Sequence, residues 1–174
     1  SGSRADRAAV RVHDIGLVIV HDATGNTGFE VIVGGGLGRT PIIGTTIREF
    51  LPVADLLGYL EAILRVYNQY GRRDNIYKAR IKILVKALGA EEFRARVERE
   101  WEITRQRLPA LGAAQLERAR SYFTAPPYRP LDAAAAESLL AGQRAANRAF
   151  DRWMSRNVSA HRVPGYAIVT LSLK

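Results

Sequence analysis

Gly28-Phe29-Glu30-Val31-Ile32-Val33-Gly34-Gly35-Gly36-Leu37-Gly38 decides how this chain folds. A β-branched run passes without a break into three consecutive glycines. The first half has the composition of a strand. The second half lacks side chains, so its backbone can turn sharply or lie close against another surface. Upstream, residues 10–20 form another run rich in Val and Ile, and Ala23-Thr24-Gly25-Asn26-Thr27-Gly28 lies between the two. Two such runs joined by a Gly-Asn turn predict a β-hairpin. Downstream, residues 39–52 read as irregular, with Pro41 and Pro52 at the edges.

From Ala54 the period changes to that of a helix. Leu56, Leu60, Ile63, Leu64 and Tyr67 recur at three and four, and Gly71 stands where such a helix would stop. Ile83, Leu84, Ala87 and Leu88 predict a short helix closed by Gly89. Residues 91–107 predict a longer, charged one with Phe93, Val97, Trp101 and Leu108 on its apolar stripe. Its Glu and Arg residues read as a solvated face making i,i+4 pairs. Residues 111–122 suggest a further helix, and Ala125-Pro126-Pro127-Tyr128-Arg129-Pro130 a linker. Asp132 can cap an Ala-rich helix running to about Arg156, with Trp153 in its core. The chain closes on a strand-like run, 165–174, that lacks a visible partner. It starts Ser1-Gly2-Ser3, without Met, and the whole reads as a piece of a longer polypeptide. The class is α+β: a mixed sheet with a β-hairpin, and packed helices.

Composition narrows the chemistry. At 174 residues the chain is long enough for one domain with a real core, or a domain and an appended helical segment. It has no cysteine, which removes disulfides, thiolate catalysis and iron–sulfur ligation by this chain itself. Three histidines, His13, His21 and His161, lie far apart, without metal-ligand spacing, so no metal site is expected. No apolar run approaches the length of a membrane span and no signal peptide is visible; a cytoplasmic protein without a membrane partner is expected. The net charge of +9 favours anionic partners.

That charge is concentrated. Residues 70–82, Tyr-Gly-Arg-Arg-Asp-Asn-Ile-Tyr-Lys-Ala-Arg-Ile-Lys, hold Arg72, Arg73, Lys78, Arg80 and Lys82 against the single Asp74. Lys78, Lys82 and Lys86 could instead form one solvated helix face. Arg80 and Lys82, two apart, would diverge on a regular helix. They can meet one anion only if the chain there is extended, looped or at a helix N-terminus. The triple glycine matches neither the dinucleotide fingerprint, since Arg39 occupies its sixth position, nor a P-loop. It offers a strand end with bare backbone N–H groups, suited to a flat ligand. No nucleophile–base pair and no nucleic-acid motif is visible.

Val12-His13-Asp14-Ile15-Gly16, residues 28–38 and Tyr70 through Lys82 together resemble the sirohaem-containing nitrite/sulfite reductase family, over about residues 4–104. The closing run from Val163 also looks like the family's entry into a second internal repeat. The resemblance implies one lobe of a pseudo-twofold sirohaem domain. Residues 1–104 would form the lobe, 105–160 a helical bridging segment, and 161–174 the first strand of the following repeat.

It implies six-electron reduction of sulfite to sulfide or nitrite to ammonia, at sirohaem coupled to a 4Fe-4S cluster. Arg80 and Lys82 would bind the oxyanion and help protonate it, although some relatives carry Lys at position 80 and Arg is a poorer proton donor. Arg72, Arg73, Asn75 and Lys78, with the Gly34, Gly35 and Gly36 loop, are the candidates for holding the macrocycle and its carboxylates. The cluster ligands would lie outside this chain, in the remainder of the same polypeptide, and this chain alone would be inactive. The electron donor would be ferredoxin or a flavoprotein, and no nucleic-acid partner is expected. The rival reading is a basic RNA- or phosphate-binding module without redox activity, with affinity that falls steeply in salt.

Overall fold

A computed structural model describes residues 6–172. Ser1 to Ala5, which open the expected lobe, lie outside the described residues, as do Leu173 and Lys174, which end the expected closing strand. The described residues fall into two compact units that divide between Tyr122 and Phe123.

The first unit is a three-stranded antiparallel sheet covered by helices. Strand β1 (Ile15–His21) pairs with β2 (Thr27–Val33) from Ile15↔Val33 to His21↔Thr27, giving the expected hairpin. The upstream run is shorter as a strand than its composition suggests, because Val10–Val12 coil into a 3-10 turn. Asp22 fixes the hairpin turn: its carboxylate accepts from the backbone N–H groups of Thr24 and Asn26 and from both of their side chains. Those bonds, the Thr24 hydroxyl first, hold the Asp22 pKa down at about 2.

The third strand is a correction. Residues expected to be irregular contain β3 (Thr45–Pro52), antiparallel to β2. The register shifts twice, at Phe29/Val31 and Val31/Ile32, so Ile47 and Leu51 point inward while Glu49 between them is exposed. Such bulges erase the period of two that would have marked a strand. The sheet is antiparallel rather than mixed among the described residues. A parallel pair needs a long crossover, and the connections here are hairpin and loop.

Three helices pack on this sheet. Helix α1 (Leu56–Tyr70) turns Tyr59, Ala62, Ile63 and Val66 inward and ends at Gly71, as the sequence predicts. Helix α2 (Ile81–Leu88) buries Ile81 and Leu84, and α3 (Ala90–Thr104) buries Phe93, Val97 and Trp101. These meet Val31, Val33, Ile47 and Leu51 of the sheet in one apolar core. Each such side chain contributes about 1.5–3 kcal/mol by leaving water. Glu98 departs from the expected solvated face of α3: it reaches across to accept from Arg48 of β3 at 2.6 Å and from the Tyr59 hydroxyl at 2.8 Å. Burial and Glu98 together push the Tyr59 pKa up, which keeps its hydroxyl a donor. Helix α4 (Ala113–Ser121) follows.

The second unit holds α5 (Ala133–Ala146), α6 (Arg148–Asn157), and strands β4 (Val158–Ala160) and β5 (Ala167–Val169). The single long helix expected after Asp132 is two. Asn147 leaves helical geometry at φ −136°, and its Oδ1 accepts from the N–H groups of Ala149 and Phe150, starting α6 afresh. The closing strand does have a partner, since β5 pairs with β4. Trp153, expected in a core, is 41% exposed and stacks on Phe150. No described residue of this unit is fully buried, so an apolar helical stripe here marks a surface rather than a core.

Candidate anion-binding site

The glycine corner is where β2 leaves the sheet. Gly34 adopts φ +77°, a left-handed conformation glycine enters without strain, and Val85 of α2 lies 3.1 Å from where its Cβ would be. A Cβ on Gly35 would collide with the carbonyl oxygens of Arg11 and His13. One on Gly36 would sit 2.9 Å from Lys82 Cδ and 3.0 Å from Arg80 Nη2. The expected bare N–H groups are not bare at two of these positions. Gly34 N–H donates to the Asp14 carbonyl, and Gly36 N–H donates to that of Ile42. The missing side chains serve backbone contact and the close seating of two cations.

Those cations come from the start of α2. Arg80 is the N-cap residue, extended at φ −139° and ψ 152°, while Lys82 is already within the helix. The change of backbone geometry between them removes the divergence a continuous helix would impose, and both side chains close on Gly36. Lys82 is only 7% exposed. It leaves the expected solvated face because α2 turns Ile81, Lys82 and Leu84 inward together. Its ammonium donates to the carbonyl oxygens of Thr40 at 3.0 Å and Leu37 at 3.3 Å. An ammonium has three N–H donors, so one remains for a ligand.

Arg80 is held by a residue that sequence reasoning passed over. Its Nε donates to Asp14 Oδ1 at 3.2 Å and its Nη2 to Oδ2 at 2.8 Å, a bidentate pair. The pair raises the Arg80 pKa, and Arg80 keeps further N–H groups free of Asp14. Asp14 lies 66 positions upstream. The signal in the sequence is Asp14 immediately before the strand that pairs with the run leading into the glycines. His13 itself bonds the Ala8 carbonyl.

The remaining expected residues stay local. Arg72 forms a bidentate pair with Asp74, its Nε donating to Oδ1 at 3.0 Å, which raises the Arg72 pKa and lowers that of Asp74. Arg73 donates to Asn68 and lies over the Tyr67 ring at 4.6 Å. Asn75 caps a 3-10 turn, Ile76–Lys78, by accepting from Tyr77 N–H. Lys78 ends that turn and is exposed, beside Ile76 and Tyr77, which are 81% and 90% exposed. The structure thus brings together Gly34, Gly35, Gly36, Arg80 and Lys82. It ties Arg72, Arg73 and Asn75 into their own segment. Beside the corner runs an open groove of about 490 Å³, lined by Gly34, Thr40, Ile43, Lys82, Val85 and Lys86. Among the described residues there is no His, Asp and Glu cluster able to hold a metal ion, and no helix long and apolar enough to cross a membrane.

Fold and site define an α+β module in which a strand-end glycine corner seats two cations. The model of the family described as nitrite and sulphite reductase 4Fe-4S domain matches residues 1–105, and the chain belongs to that family. Sulfite reductase (ferredoxin) 1 of Mycolicibacterium paratuberculosis is 34% identical over 89 residues, covering 51% of this chain and 16% of the relative. The ferredoxin sulfite reductase of Synechococcus elongatus is 38% identical over 92 residues, covering 49% and 15%. The hemoprotein beta-component 1 of the NADPH sulfite reductase of Pectobacterium carotovorum is 31% identical over 102 residues, covering 55% and 18%. Among solved structures, the NirA protein of Mycobacterium tuberculosis matches with a TM-score of 0.49 and 25% identity over 70% of this chain and 19% of that one. The chain spans roughly a sixth of the length of these curated relatives. Membership of this family does not favour the reading as a basic RNA- or phosphate-binding module.

Proposed function

We propose that this chain is the sirohaem-facing lobe of a sulfite or nitrite reductase, and that it acts only together with the parts that complete the pocket. In that reading residues 1–104 form the lobe, 105–160 a helical bridge, and 161–174 the entry to the next repeat. The 4Fe-4S cysteines come from outside this chain, which has none. Ferredoxin or a flavoprotein supplies electrons to the whole enzyme.

The observation that carries the proposal is Lys82: a lysine only 7% exposed, its ammonium braced by two carbonyl oxygens, with Arg80 beside it over Gly36. Among the described residues no carboxylate pairs with Lys82; burying a lysine in that way is costly, and a site that binds anions gives that cost a use. Residues of this kind fit sirohaem and its substrate, since both are anionic and both need fixed N–H donors. When bound, sirohaem supplies the iron at which the oxyanion is reduced. The work of this chain is to orient and to neutralise. Arg80 offers the N–H groups that Asp14 does not use, and Lys82 offers its third N–H and a proton source beside the departing oxygens. Arg80, permanently charged, neutralises without donating its proton. Lys78, Asn75, Arg72 and Arg73 are placed by this proposal at the carboxylates of the macrocycle, with Gly34–Gly36 admitting the two cations beneath.

The test is Arg80→Ala with Lys82→Ala in the full-length enzyme. Turnover of sulfite and nitrite is expected to fall by at least about a hundredfold, as for loss of a preorganised donor. Unchanged turnover of both substrates contradicts the proposal.

A further inference from the structure

We propose that Asp14 is a positioning residue for the anion site, fixing the Arg80 guanidinium so that its free edge meets a carboxylate or oxyanion. This rests on the reading of Arg80 as an anion-binding residue given above. Three observations carry it. First, the contact is two-point: Nε and Nη2 of Arg80 donate to the two different oxygens of Asp14, which fixes the plane of the guanidinium and not merely its distance. Second, Gly36 lies against the same group, with Nη2 and Nη1 at 3.0 and 3.2 Å from where its Cβ would stand, so the guanidinium is held between a carboxylate and a bare backbone. Third, Asp14 is itself anchored. Its carbonyl oxygen accepts the N–H of Gly34 at 3.0 Å, tying the carboxylate to the same glycine corner that seats Lys82.

The chemistry follows from those three points. Arg80 is the extended N-cap of α2, whose carbonyl oxygen accepts from Ile83 N–H at 3.1 Å. A long side chain there would sample many rotamers in solution, and each binding event would lose that freedom. Asp14 removes it in advance. Because the pair is 38% and 41% exposed, it contributes little to stability by itself, as exposed pairs generally do. Its consequence is direction: Nη1 and the second N–H of Nη2, which bond nothing among the described residues, remain as a fork for two oxygens of one anion. Asp14 also lowers the net positive charge facing the ligand, so it tunes the site toward fit and away from nonspecific capture of any anion. A carboxylate of the macrocycle and the substrate oxyanion are the two sources of that anion, and they share the same fork.

The experiment uses the full-length polypeptide from cells that make sirohaem, as wild type, Asp14→Asn, Asp14→Glu, Arg80→Ala and the Asp14→Asn/Arg80→Ala double variant. Two quantities are read: sirohaem retained per polypeptide, from visible absorbance after extended dialysis, and sulfite affinity, from the spectral shift on titration at matched sirohaem content. Asp14→Asn retains the backbone carbonyl that Gly34 uses, so thermal unfolding of this variant is expected within about 2 °C of wild type. One of the two quantities is expected to fall about tenfold in Asp14→Asn, as when a group that orients a ligand contact is removed. Asp14→Glu should recover part of it, and Asp14→Asn should add nothing once Arg80 is gone. Loss of retained sirohaem assigns the fork to the macrocycle, and loss of sulfite affinity at full loading assigns it to the substrate. If Arg80→Ala impairs either quantity and Asp14→Asn impairs neither, the positioning role is wrong while the anion site stands. If Arg80→Ala also changes nothing, the anion site itself is wrong. Equal losses from Asp14→Asn in the presence and absence of Arg80 would also overturn the proposal.

Discussion

Gly35 and Gly36 are adjacent, buried and chemically identical, yet their surroundings predict opposite outcomes for the same substitution. Gly35→Ala would drive a Cβ into the main-chain carbonyls of Arg11 and His13, which cannot move without displacing the strand corner. A loss of about 3 kcal/mol in urea denaturation is expected, at the upper end for overpacking. The atoms nearest a Cβ added by Gly36→Ala belong to the Lys82 stem and the Arg80 guanidinium, side chains rather than backbone. This substitution should cost under about 1 kcal/mol, while weakening anion binding by displacing both cations. Equal destabilisation by the two would contradict this account of the corner. Asp22 gives a pH-dependent case. Its folded pKa of about 2 lies below the unfolded value of about 3.9, so its stabilisation is fully present above pH ~4 and is lost as pH falls through ~2. The stability gap between wild type and Asp22→Asn should narrow across that window, and a gap constant from pH 5 to 2 would contradict the assignment.

Among the elements, the hairpin and α1 to α3 were legible because their signals are local: β-branched runs about a Gly-Asn turn, then apolar spacing of three and four, ended by glycines after α1 and α2. Strand β3 was not, because two register shifts break its alternation. The split of α5 from α6 at Asn147 was missed because Asn caps a helix only if the chain departs from helical geometry there, and an Ala-rich flank suggests continuity. Of the site, the residue types and the two cations were visible in the sequence. Their convergence was stated as a geometric condition, which the N-cap position of Arg80 satisfies. Asp14 was hidden by its separation of 66 positions from Arg80. The bridge between β3 and α3 was hidden in the same way. Arg48 donates to Glu98 and lies over the Trp101 ring at 4.6 Å, while Tyr59 donates to the same carboxylate. Glu98→Ala should therefore leave both donors without their acceptor and cost about 2 kcal/mol by thermal or urea unfolding, typical of a hydrogen bond to a charged group. A change below about 0.5 kcal/mol would mean that Glu98 is merely one more solvated charge on α3.

For the whole molecule, absence of cysteine and membership of a 4Fe-4S reductase family fit together only if cluster ligation is supplied from beyond this chain. The sheet, the glycine corner and α2 make one wall that concentrates positive charge at Arg80 and Lys82. In the proposed reading, the remaining walls, the electron entry and the choice between sulfite and nitrite belong to the complete enzyme. The decisive measurement is the visible absorption spectrum of the full-length polypeptide purified from sirohaem-producing cells. The account predicts sirohaem bands with an iron–sulfur shoulder that bleaches on reduction. A folded, colourless protein that cannot be reconstituted with sirohaem would contradict it.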